Sequence, residues 1–224
     1  QEMSVAIATR AALRVLPFIT HSESQNSGQN ALALLAFRCI LISGVAAKIP
    51  SLEVSSTAGS AADAAADAAN VAVPDFIGVA ARAAAGAAAS ARAYDGLGAY
   101  GAISYGIGAT RTAFEAVGSA AGTAAQSAVV AAVYADTEHG LQDLMTAPLW
   151  DNTKEPGWLS STNSQHQNIL DDGPEWTFWR RWYQGFLIGE PLDWELQRRV
   201  ALIGNAIWEA GPEAVAKEIE KIEA

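Results

Sequence analysis

The sequence predicts an all-α fold: an alanine-rich antiparallel helical bundle carrying a smaller, tryptophan-rich helical module at its C-terminal end. Three observations carry this reading. Alanine tracts such as SAADAAADAAN (60–70) and AARAAAGAAASAR (80–92) favour the helix, because alanine loses no side-chain freedom there. No segment sustains the apolar–polar alternation of a half-buried strand. Pro17, Pro50 and Pro74 cut the N-terminal half into helix-length pieces.

Residues 4–18 read as the first helix, with Val5, Ala8, Ala12, Val15 and Leu16 on one side and Arg10 and Arg14 on another. A polar loop, THSESQNSGQN (20–30), follows, and Asn30 is placed to cap a second helix running to about Lys48. Ser55 or Ser56 would cap the next helix, on which Ser60, Asp63, Asp67 and Asn70 draw one polar stripe. Pairing of that stripe with Arg82 and Arg92, on a helix over 75–94, is its expected role. A further helix is expected over about 109–145. From Pro148 to Gly173 the text turns irregular, so the chain divides into a bundle (1–148), a connecting segment (149–173) and a C-terminal module (174–224). The connection either wraps the bundle or links two units. In the module, Trp176, Trp179, Tyr183 and Phe186 share a helical face, Gly189 and Pro191 break the helix, and 192–203 forms another. A last helix opens at Gly211-Pro212, where Val215, Ile219 and Ile222 make a seam like the start of a coiled coil.

Bulk properties narrow the function classes. The chain has 224 residues, half of them apolar, which is enough for a sizeable core. Much of that half is alanine, so the core should be closely packed rather than rich in bulky side chains. A net charge of −10 argues against affinity for nucleic acid. The single cysteine, Cys39, permits no internal disulfide and lies in an apolar run without a histidine partner, as an inert buried thiol would. No signal-peptide pattern is visible, and the best apolar run, Ala31 to Ala47, is interrupted by Arg38 and shorter than the ~20 residues that span a bilayer. A cytoplasmic location is the expectation, with membrane action kept as a rival. Gln1 at the start and a charged helix at the end lead us to expect a longer natural chain.

Four features bear on function. GLGAYG (96–101) spells the dinucleotide-binding glycine pattern, but that turn requires a strand before it and a helix after it. An alanine helix precedes it and no acidic residue stands at the required distance, so the glycines at 96, 98, 101, 106 and 108 are read as a turn or as close helix packing. Asp136 and His139 are three apart, a spacing that could ligate a metal on a helix, although an acid–base pair without metal is the preferred reading. Arg180, Arg181, Trp182, Arg198 and Arg199 form an aromatic–arginine block, and these are the candidate partner-binding residues. The main tryptophan stripe is read as core. Finally, no nucleophile elbow, zinc-protease or phosphate-loop motif occurs, so neither a catalytic residue nor a cofactor is assigned.

The block W-x-x-W-x-x-W-Y-x-G, G-x-P-x-x-W and I-W-x-x-G-P resembles uncharacterised proteins of alphaproteobacteria, through Trp179, Trp182, Tyr183, Gly185, Trp208, Gly211 and Pro212. In them a comparable module precedes a coiled coil, so the resemblance implies a bacterial, modular and oligomeric protein. Together these readings favour a non-enzymatic interaction or scaffold module that binds a protein or itself through the C-terminal helix. The alternatives are a helical-bundle enzyme or ligand- or metal-binding protein with a site built from scattered residues, and a membrane-acting protein.

Overall fold

The computed structural model describes residues 1–22, 27–71, 75–92, 98–150, 156–158, 167–171 and 173–224. It is all-α. Helix α1 (Glu2–Val15) runs into the short α2 (Pro17–Thr20), followed by α3 (Ser27–Lys48), α4 (Leu52–Val71), α5 (Asp75–Arg92) and α6 (Gly98–Asp136). The only extended pairing among the described residues joins His21–Ser22 to Gln167–Asn168, antiparallel. After α7 (Leu141–Leu144), the C-terminal helices are α8 (Thr177–Ile188), α9 (Trp194–Ala201), α10 (Asn205–Glu209) and α11 (Pro212–Glu223).

Several helix starts differ from the sequence reading. Helix α3 begins before Asn30, which lies inside it rather than at its cap. Helix α4 begins at Leu52, where Ser51 Oγ accepts from the Val54 N–H at 3.2 Å. Ser55 is instead buried and donates to the carbonyls of Ala91 and Arg92, both at 3.1 Å. That bond places the start of α4 beside the end of α5, so the two run antiparallel. The polar stripe on α4 is exposed, and Arg92 meets Asp63 at 3.4 Å while Arg82 reaches the Ala69 carbonyl.

Alanine faces allow close helix approach. A Cβ on Gly86 would stand 3.0 Å from the Ala109 Cβ, and one on Gly106 would stand 3.0 Å from the Ser4 carbonyl oxygen. The glycine run of α6 therefore serves helix packing at Gly106, where α6 lies against α1. Gly108 has nothing within 4 Å. Gly98 and Gly101 lie within α6, while Gly96 lies outside the described residues.

Helix α6 is not one rod. Gly122 adopts φ 82° and ψ 178°, a conformation open essentially to glycine alone. Around it Gln126 Nε2 donates to the Phe114 carbonyl at 3.0 Å, although twelve residues of straight helix would separate those groups by about 18 Å. The chain thus folds back into two arms, 98–121 and 123–136.

The core is continuous from bundle to C-terminal module. Phe37 of α3 sits among three buried tryptophans, 4.9 Å from Trp179, 5.9 Å from Trp176 and 6.2 Å from Trp182 between ring centroids. In the connection, Trp158 stacks on Phe18 and meets Trp150 edge-on. Its described residues therefore lie against the bundle.

Candidate functional site

Asp136 and His139 do not share a helical face, because α6 ends at Asp136 and the next residues form a turn. His139 is exposed, whereas Asp136 is 2% exposed and held by two arginines of α1. Arg10 Nε meets its Oδ1 at 2.9 Å, and Arg14 binds both oxygens, at 2.6 and 2.9 Å. The remaining guanidinium N–H groups donate to the carbonyls of Leu144, Ala147, Pro148 and Leu149. Two cations on one carboxylate leave net positive charge in the core, and these carbonyl dipoles, with that of Ala132, take it up. Burial draws the Arg10 guanidinium down to about 10, against the pull of Asp136. The cluster fastens the chain after α6 to α1. Among the described residues no group of three metal-ligating side chains occurs. His21 has no described side chain, and His166 and Asp172 lie outside the described residues.

The aromatic–arginine block divides. Trp182 is fully buried and its indole N–H donates to Gln197 Oε1 at 2.9 Å, so it does not face a partner. The arginines remain at the surface, but three are engaged locally. Arg180 donates to the Leu170 carbonyl and lies 3.6 Å from Asp171; Arg181 pairs with Glu223. Arg198 pairs with Glu195 at 2.7 Å, a hydrogen bond that holds the Glu195 carboxyl below its ordinary range. Arg199 is exposed. Arginines outside that block make the stacks on indole rings: Arg14 over Trp150 at 5.4 Å and Arg38 over Trp208 at 5.0 Å.

The C-terminal seam is occupied within the chain. Val215 and Ile219 are buried and Ile222 is partly buried against the core. They do not form a free coiled-coil edge.

A different surface carries exposed apolar side chains. Tyr100, Ile103, Tyr105 and Ile107 stand out from the first arm of α6, with Tyr100 84% and Ile107 65% exposed. Ile103, Ile107, Thr110 and Phe114 line a groove of about 270 Å³ closed on its other side by Ser4 and Ile7 of α1. From Gly98 to Ala135 the only charged residues are Arg111 and Glu115, which pair with each other at 3.0 Å.

Among the described residues, three helical stretches are long and apolar enough to cross a membrane, over Glu2–Thr20, Gly28–Lys48 and Tyr100–Asp136. This corrects the sequence reading, which found none. The first two spans are 83% buried inside the bundle, and the third only 28%. Comparison with protein-family models, curated proteins and solved structures finds no match for the chain.

Proposed function

We propose that the protein is a non-enzymatic interaction module that assembles with a second copy of itself by pairing the first arm of α6. The observation that carries this is the series of exposed Tyr100, Ile103 and Ile107 continued by half-buried Thr110 and Phe114, which advances by alternating steps of three and four residues. That spacing makes a helix-pairing seam. Large apolar side chains with few charges mark interface cores rather than ordinary surface.

The seam fits an isologous, antiparallel pairing centred on Ile107. Tyr100 and Phe114 lie equally far on either side of it, so Tyr100 of each copy meets the Phe114 end of the other's groove. Arg111 then faces Ile103 of the second copy, and no like charges meet, although the whole chain carries −10. A bilayer fits less well, because the first arm carries Arg111 and Glu115 near its middle, and the second arm, 123–136, is shorter than the ~20 residues a span requires.

Sedimentation tests the reading. The wild-type chain should associate at about 100 μM, within reach of a weak interface. Ile107→Asp should be monomeric with unchanged helix content. A wild-type monomer at that concentration contradicts self-pairing, and vesicle binding without self-association would point to the bilayer instead.

A further inference from the structure

Arg38 lies near the middle of α3 and is 3% exposed, yet no carboxylate comes within ion-pair distance of it among the described residues. This sets it apart from Arg10 and Arg14, which share Asp136. Its guanidinium lies over the Trp208 ring, and Nη2 donates to Asn205 Oδ1. Among the described residues Nε is buried with no acceptor, and Nη1 has no acceptor either. A buried charge without a counter-charge is costly, so an anion placed beside it would be strongly favoured. Burial pushes the guanidinium's pKa down, against smaller opposing pulls from Cys39 and then Glu209.

Arg38 opens onto a cleft of about 280 Å³ between α3, α4 and α10. Leu34, Leu35, Ala64 and Trp208 make apolar walls, while Asn205 and Glu209 add polar groups. No residue of α6 contributes, so the cleft is separate from the pairing seam. One planar cation at an apolar cleft matches the head of a carboxylate with a hydrocarbon body. Exposed Glu209 repels a second negative charge, which disfavours phosphate esters and dicarboxylates.

We infer that this cleft binds a small monocarboxylate with an aliphatic or aromatic body, its carboxylate on Arg38 and its apolar part against Leu34, Leu35 and Trp208. Calorimetric and thermal-shift titrations with 3-phenylpropionate and octanoate test it, with 3-phenylpropanamide and inorganic phosphate as controls. An acid should bind at least about tenfold more tightly than the neutral amide, the difference expected for a hydrogen bond to a charged group. Glu209→Gln should tighten acid binding. Arg38→Leu should abolish it while leaving Tm unchanged or raised, since an apolar side chain replaces an unpaired buried charge. A merely structural arginine would instead lower Tm when removed. Equal binding of acid and amide, phosphate binding as tightly as the acids, or no binding by either acid would overturn the assignment.

Discussion

Cys39 sits deep in α3 with its thiol donating to the Ala61 carbonyl at 3.3 Å, and burial pushes its pKa from 9.0 up to about 12, against a smaller opposing pull from Arg38. Between those values the folded chain keeps a proton that the unfolded chain loses. Stability from this site is therefore complete below pH 9 and falls as pH rises towards 12. The full slope is about 1.4 kcal/mol per pH unit. Comparing urea unfolding of the wild type and Cys39→Ala across this window isolates the term from other alkaline titrations. The wild type should lose stability more steeply; parallel curves would show that the thiol is not shielded. At this scale the sequence was partly informative. An apolar run announced a buried Cys39. The partners of Asp136 stayed hidden, because Arg10 and Arg14 lie more than a hundred residues away and read only as a second side of α1. Arg38 read only as an interruption in the same run. The available signal in each case was arginine set in an apolar helix, a costly placement unless something answers the charge.

At the scale of elements, alanine and glycine determine how closely helices approach. Gly106 and Gly108 provide a matched test on one helix. Gly106→Ala forces a new Cβ within 3.0 Å of the Ser4 carbonyl oxygen, whereas Gly108→Ala meets nothing within 4 Å. Thermal unfolding should show the first variant destabilised. The second should be neutral or more stable by up to about 1 kcal/mol, the usual gain for alanine over glycine in a helix. Equal effects would mean that α1 and α6 do not approach so closely. Helix existence was legible from propensity and proline spacing, because these are local signals. The fold-back of α6 was not, since a glycine among alanines is compatible with either a continuous helix or a break. The positive φ of Gly122 and Gln126 reaching the Phe114 carbonyl distinguish them.

Over the whole molecule, the C-terminal tryptophans complete a core that begins in α1 and α3, with Phe37 as the shared centre. The stripe of Trp176, Trp179, Tyr183 and Phe186 was legible as core from its spacing, but its partner on α3 was not, because periodicity identifies a buried face without naming what covers it. The same limit applied to the last helix. Its apolar seam resembled an open coiled-coil edge, yet Val215 and Ile219 are spent inside the chain. The face proposed for assembly lies in the first arm of α6, within a tract that composition alone renders uniform. Disulfide trapping across the proposed two-fold axis tests that assembly most directly, and buried Cys39 leaves the introduced thiol as the reactive one. Antiparallel pairing centred on residue 107 predicts that Ile107→Cys forms a covalent dimer under mild oxidation, while Ser119→Cys on the same arm remains monomeric. Equal cross-linking at both positions, or none at 107, would contradict it.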